Sequence, residues 1–231
     1  MPSPEIVRTA TRRLVQMHYE SQAGHLGGNL SCLPILLRLY HDVLRPDDTL
    51  VVSKGHAAGA DYIARWSVGQ LTDDDLKTFH GEGTKLPGHL PPCGGSLGHG
   101  LSVAVGEAVG RKLQGKPGRV YCLCSDGEMQ EGQAMEAQMY SYVHKVPVTF
   151  IVDDNGWQGF GRPDDLGAGN VSFGARCLWK HWNPEADYLG PVTVFSGFKK
   201  GHGISFLDDT LASHYTVLTY SQYRQALEEV G

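Results

Sequence analysis

The chain of 231 residues contains no run of about 18 apolar residues, so no segment reads as a membrane-spanning helix. Its first stretch, MPSPEIVRTATRR, lacks the apolar core of a signal peptide, and a cytoplasmic protein without a membrane partner is expected. There is no long basic run, and the formal net charge is -5, which argues against nucleic acid as the main partner. The five cysteines, Cys32, Cys93, Cys122, Cys124 and Cys177, are odd in number and scattered, which excludes a disulfide framework. Cys122 and Cys124 lie two apart on a predicted strand and read as buried thiols in a reducing compartment rather than zinc ligands. No internal repeat or low-complexity segment is present.

What is there suits one large α/β domain over residues 1–231, with 41% hydrophobic residues and 30 glycines spread along the chain as tight backbone sites. The stretch 120–155 organises the rest. Residues 120–124 and 148–152 are short apolar runs of strand character, and a helical pattern lies between them. This βαβ unit predicts neighbouring parallel strands, with Asp126 and Asn155 both emerging at the carboxyl edge of a wound sheet, where such sheets bind ligands. A carboxylate, a carboxamide and a loop carbonyl such as that of Trp157 suit Mg²⁺, Ca²⁺ or Mn²⁺ with positions left for phosphate oxygens. Gly127, without a Cβ, would let a backbone N–H approach a diphosphate, and a helix starting near Gly132 would point its positive end inward. The alternative is two unrelated surface turns; placement at two adjacent strand ends favours the site.

Around this unit, residues 4–19 predict an amphipathic helix, 24–29 a loop carrying His25, and 33–44 a buried helix entered through Pro34 near its first turn. Residues 50–53 read as a strand and 57–68 as a helix, with Tyr62, Ile63 and Trp66 in the core. Thr72 caps a short acidic turn. Residues 81–98 form a loop whose length suggests function. A helix over 101–113 follows, in which Gly106 and Gly110 permit close packing against a neighbour. Met135, Met139 and Tyr142 on the helix 133–143 belong to core or interface. Trp157 and Phe160, in the loop 156–169, either cover a diphosphate or simply pack. Residues 191–195 predict a strand, and Thr219 with Gln222 a capping box for the last helix. Five histidines, His25, His56, His89, His99 and His202, directly follow a glycine. Such imidazoles either cap turns or face one polar cleft as hydrogen-bond partners and proton shuttles; His25, His56 and His89 are the candidates, and His202 is not. Glu131 is either a first-turn charge or a site residue, and Glu128 looks less constrained.

Ser125-Asp126-Gly127-Glu128-Met129-Gln130-Glu131-Gly132, followed by Asp153-Asp154-Asn155, resembles the thiamine diphosphate motif of the transketolase family, usually G-D-G with a later N. Further segments resemble the same family in the same order: Gly24-His25-Leu26-Gly27, Lys54-Gly55-His56-Ala57, Pro87-Gly88-His89, Gly94-Gly95-Ser96-Leu97-Gly98-His99-Gly100, residues 199–206 and Ser213-His214-Tyr215. The resemblance implies a parallel-sheet domain that binds the diphosphate of thiamine diphosphate through a divalent cation held by Asp126, Asn155 and the carbonyl of Trp157. It implies His25, His56, His89 and His214 at the reacting end, His56, Gly95, Ser96, Leu97 and His99 around the cofactor, Gly127 as a phosphate donor, and Glu131 at a subunit contact beside the cofactor. Two departures stand out: Ser125 replaces the first glycine of the motif, and residues 171–190, with Trp179, His181 and Trp182, look shortened where the family has a helix, a strand and G-H-D.

Family members carry a pyrimidine-binding domain after this one, so the resemblance implies half of a split enzyme, a heterotetramer with a partner subunit supplying that domain. The implied activity moves a two-carbon ketol unit from a ketose or ketose phosphate to an aldehyde. Two alternatives stand beside it: a thiamine-dependent acyl or acyloin transferase, with the Trp179–Trp182 patch admitting an unusual acceptor, and a non-catalytic partner-binding protein on the same fold.

Overall fold

The structure, a computed structural model, describes residues 2–81, 95–166, 172–186 and 190–231. Five strands, β1 (Thr49–Val52), β2 (Val120–Ser125), β3 (Val148–Asp153), β4 (Ala175–Leu178) and β5 (Val192–Ser196), form one sheet in the order β1-β2-β3-β5-β4. Every pairing is parallel. All-parallel sheets need both faces covered, and the alternation of side chains along the strands shows how this is met. Leu50, Val52, Tyr121, Leu123, Ile151, Val192 and Val194 face one buried cluster with α1 (Pro4–Ser21), α2 (Leu26–Arg38) and α3 (Ala58–Ser67). Val51, Val120, Cys122, Cys124, Phe150 and Val152 face a second cluster with α5 (His99–Gln114) and α6 (Gly132–Val143). The short α4 (Asp73–Leu76) and the terminal α7 (Tyr220–Val230) complete the chain.

The helix ends follow local chemistry. Ser3 accepts from the Ile6 N–H and Pro4 opens α1, while Thr72/Asp75 and Thr219/Gln222 form complete capping boxes at α4 and α7. Cys32, Cys122 and Cys124 are buried. Among the described residues, no helix is long and apolar enough to cross a membrane.

Several expectations are corrected. The helix expected over 33–44 begins instead at Leu26, so Gly27, Gly28 and Asn29 are helical rather than loop, and Pro34 lies inside α2. A π-helical turn, Leu39–Val43, then closes the segment. Burial overrides the local signals here: a Cβ on Gly27 would stand 2.4 Å from Ser213 Oγ, so glycine serves close packing against the C-terminal segment rather than a loop. Within the divergent region 171–190, β4 is an edge strand that no sequence pattern announced. Trp179 and Trp182 stack at 5.3 Å between ring centroids, beneath the Arg38 guanidinium. Both are buried in the core, and Trp179 lines a small cavity with Phe195 and Phe198, apart from the one that Asp126 and Asn155 share.

Candidate cofactor site

Ser125 pairs with Asp153 across the last rung of β2 and β3. Asp126 and Asn155 therefore leave the sheet side by side at its carboxyl edge, and both line one cavity of about 510 Å³. His25, Lys54, His56, Gly95, Leu97, Gly127, Glu131, Trp157, Lys200 and His214 share that lining. Ser96 and His99 do not; they bond one another at 3.2 Å on the surface. His89 lies outside the described residues.

Asp126 is 1% exposed, and its Oδ1 accepts from the Gly127 N–H at 2.8 Å. Its Oδ2 is buried without a hydrogen-bond partner. Burial, reinforced by the neighbouring Asp153 carboxylate, pushes its pKa up to about 7. The Asn155 amide is fixed in orientation, since Nδ2 donates to Asp153 Oδ2 at 3.0 Å and Oδ1 accepts from the Trp157 N–H at 3.1 Å. Asp153 is fully buried and forms an ion pair with Lys54, and the same oxygen accepts from Ser31 Oγ at 2.7 Å. Burial alone would lower the Lys54 pKa, but the attraction of Asp153 outweighs it and the ammonium is stabilised.

Three imidazoles converge opposite this floor. The ring centroids of His25 and His214 are 4.9 Å apart, those of His25 and His56 5.5 Å, and those of His56 and His214 5.6 Å. His25 is held at the N-cap of α2 with φ of 63°, a left-handed conformation that projects it from the helix end. Burial and then the Lys54 charge drive His56 well below its ordinary pKa, and burial with Lys200 lowers His214 to about 3. Both rings are therefore neutral near pH 7. Lys200 Nζ lies 2.8 Å from His214 Nδ1 and donates to the Trp157 carbonyl at 3.1 Å. An ammonium only donates, so His214 Nδ1 accepts and its proton resides on Nε2. Burial, then repulsion from Lys54, brings the Lys200 pKa down to about 8.

Glu128, expected to be loosely constrained, is instead fully buried. It accepts from Ser53 Oγ, from the Gly98 N–H at 2.8 Å and from the Ser125 N–H at 3.3 Å, and burial raises its pKa. Glu131 is the exposed N-cap residue of α6. On α6, Met139, Tyr140, Tyr142 and Val143 are about half exposed or more, so this face of the helix lies outside the core of the described residues. Phe160 is 88% exposed, whereas Trp157 is tied down by an Nε1–H bond to Asp209 at 2.8 Å and by the Arg162 guanidinium over its ring.

Lys54, Asp153, Lys200 and Glu128 did not stand out as site residues in the sequence. Each sits inside a quoted motif, but a buried charge announces itself only through partners far along the chain: Lys54 and Asp153 are separated by 99 positions.

The donor set fits a divalent cation carrying a diphosphate. Asp126 offers a buried, unpartnered carboxylate oxygen, and the Asn155 and Trp157 oxygens each retain a lone pair. Among the described residues, no group of three or more His, Cys, Asp or Glu could hold a metal. A cation here would thus rest on one carboxylate and neutral oxygens and keep sites for phosphate, the Mg²⁺ pattern. A Cβ on Gly127 would come within 3.3 Å of Gln158 Cγ, a contact that the Gln158 side chain would have to yield slightly to accept.

Residues 5–158 match the family model described as transketolase, thiamine diphosphate binding domain. The chain is 32% identical over 254 residues to an apulose-4-phosphate transketolase subunit of Phocaeicola vulgatus, covering 95% of this chain and 90% of that one. It is 28% identical over 246 residues to 6-deoxy-6-sulfo-D-fructose transketolase subunit SqwG of a Clostridium species, covering 90% and 88%. Among solved structures, the transketolase of Campylobacter jejuni superposes with a TM-score of 0.77 at 26% identity, covering 99% of this chain but 42% of that one. The Leishmania mexicana transketolase shares the fold with a TM-score of 0.79 at 23% identity. This chain thus spans about two fifths of the solved transketolases and nearly the whole of the separate subunits. It belongs to the transketolase family, of which it carries the thiamine diphosphate binding domain.

Proposed function

We propose that the chain is the diphosphate-binding subunit of a split transketolase, completed by a partner subunit carrying the pyrimidine-binding domain. The observation that carries this is the convergence of Asp126, Asn155 and three imidazoles on one cavity at the carboxyl edge of adjacent strands. Asp126, Asn155 and the Trp157 carbonyl would hold the cation, and Gly127 would present its backbone to the diphosphate. Bound thiamine diphosphate supplies the carbanion chemistry that cleaves the ketose beside its carbonyl and passes on a two-carbon unit.

The chain's own share is orientation and proton handling. His214, with its proton on Nε2, is a donor toward the cavity, and His25 together with the neutral His56 can exchange hydrogen bonds with the oxygens of a sugar. Lys54 and Lys200 balance the anionic charge of a diphosphate. Glu131 would meet the partner subunit beside the cofactor. The exposed apolar side chains of α6, with Gly106 and Gly110 on α5, where an added Cβ would meet nothing within 4 Å, form a surface on which that partner can dock. Both relatives named above are subunits named for sugars that bear a phosphate or sulfonate, which supports an anionic ketose as donor.

The test is calorimetry on the chain mixed with its candidate partner, titrating thiamine diphosphate with and without Mg²⁺, followed by assays with ketose phosphates, free ketoses and 2-oxo acids. Magnesium-dependent binding and turnover of a ketose phosphate by the mixture, with no turnover by the chain alone, is the expected outcome. Turnover of 2-oxo acids only would favour the acyloin alternative, and no magnesium-dependent binding the non-catalytic one.

A further inference from the structure

Glu128 lies outside the lining of the cavity, yet it touches three segments that form its wall. Its Oε1 accepts from Ser53 Oγ, at the end of β1, and from the Gly98 N–H, at the start of α5. Its Oε2 accepts from the Ser125 N–H, directly before Asp126, and the Ser125 hydroxyl in turn accepts from the Glu128 N–H at 3.2 Å. Ser53 extends the network, because its Oγ also accepts from the Gly100 N–H at 3.1 Å. One carboxylate therefore ties the cation-side turn 125–127 to the loop 95–98, whose Gly95 and Leu97 line the opposite part of the same cavity.

The chemistry of the position suits such a strut. Gly98, the N-cap residue of α5, has no side chain to cap the helix; Ser53 Oγ takes that place by accepting from the Gly100 N–H, and the buried carboxylate of Glu128 accepts from the N-cap residue's own N–H, where a negative charge meets the positive end of the helix dipole. No ion pair with Glu128 is present among the described residues; backbone and hydroxyl donors satisfy it. The stretch is closely packed: a Cβ on Gly100 would stand 2.3 Å from that of Ser53, and one on Gly98 2.7 Å from Gln133 Cγ. Gln133, from α6, holds the Leu97 carbonyl from the other side.

We infer that Glu128 is a positioning residue that sets the distance between the two halves of the cofactor cradle, the turn that holds the cation and diphosphate and the Gly95–Leu97 wall that meets the organic part of the cofactor. This rests on the function proposed above. Without the carboxylate, the Gly98 and Ser125 N–H groups are left unpaired in a buried place, a penalty that the loop relieves by moving toward water. A ligand that spans both halves then loses more than one that occupies the diphosphate half alone.

The test uses the full chain paired with its partner and compares thiamine diphosphate with inorganic pyrophosphate, each with Mg²⁺, in wild type, Glu128→Ala and Glu128→Gln. In Glu128→Ala, thiamine diphosphate affinity should fall roughly tenfold more than pyrophosphate affinity, and the Gly98 and Gly100 amides should lose protection from hydrogen exchange. Glu128→Gln, which keeps one oxygen acceptor, should recover most of the difference. Should Glu128→Ala not fold, the same ratio measured in Glu128→Gln decides, with a smaller loss expected in the same direction. Equal losses for the two ligands, or unchanged exchange at Gly98, would overturn the assignment and leave the proposed function standing. A wild-type complex that binds neither ligand would remove both.

Discussion

The buried carboxylate of Asp126 makes the cofactor-free protein less stable than it could be, and the size of that effect can be worked out. Its folded pKa of about 7, against an ordinary value of 3.8, means that the folded state holds a proton on Asp126 that the unfolded state has already released. Stability from this group is fully present below pH 4 and is lost as pH rises through 7, in total about 4 kcal/mol. Asp126→Asn keeps the shape and removes the charge. At pH 8 the cofactor-free Asn variant should therefore melt higher than wild type, by roughly 10 °C for a chain of this size, with the gap narrowing toward pH 5. Thiamine diphosphate with Mg²⁺ should raise the melting temperature of the wild-type complex and leave that of the variant unmoved. The assay is thermal unfolding followed by circular dichroism across this pH range, with and without ligand. A variant that melts at or below wild type at pH 8, or that shows the same ligand-induced rise, would refute the reasoning.

Two further outcomes concern the scaffold. Asp153→Leu leaves Lys54 charged and unpaired in the core and should cost about 3–5 kcal/mol in urea unfolding, while Lys54→Met combined with Asp153→Leu should recover most of it; a double variant no more stable than the single one would show that the ion pair is not the cause. His18, fully buried with Nε2 unpartnered, has its pKa lowered to about 4 by burial. Its contribution is present above pH 6.5 and lost as pH falls through 4, about 2 kcal/mol between pH 7 and 5. His56 and His214 add to the same acid slope, so His18→Leu should flatten it without abolishing it, and an unchanged difference between the two pH values would contradict the account.

The parts of this fold that a sequence shows are those whose cause is local. β2 and β3 announce themselves as short apolar runs and α6 as a helical pattern between them, and Asp126 and Asn155 follow because strand ends in a parallel sheet share an edge. The capping boxes at Thr72 and Thr219 are four-residue patterns and were legible for the same reason. Start and stop of α2 were not. Gly27, Gly28 and Pro34 all argue locally against a helix, and what overrules them is contact with Ser213 and His56, which come from far along the chain. Glu128 was misjudged on the same grounds, since its partners Ser53 and Gly98 lie 75 and 30 positions away. A glutamate on a short turn looks solvated until the fold closes over it.

Lys54, Asp126, Glu128, Asp153 and Lys200 are all buried or nearly so, within or directly behind one cavity, where their desolvation works against folding. Apolar residues of similar size would pack there at less cost, so stability alone does not explain five ionisable groups at one strand edge. Their signs, two cationic and three anionic, do not sum to a simple anion trap. Lys54 and Asp153 pair with one another and Glu128 is tied to backbone and hydroxyl donors, which leaves Asp126 and Lys200 as the groups of opposite sign that face the cavity itself. The remainder of the core, from Leu14 and Val15 to Phe150 and Val194, is apolar on both sides of the sheet and supplies the stability that this edge gives up.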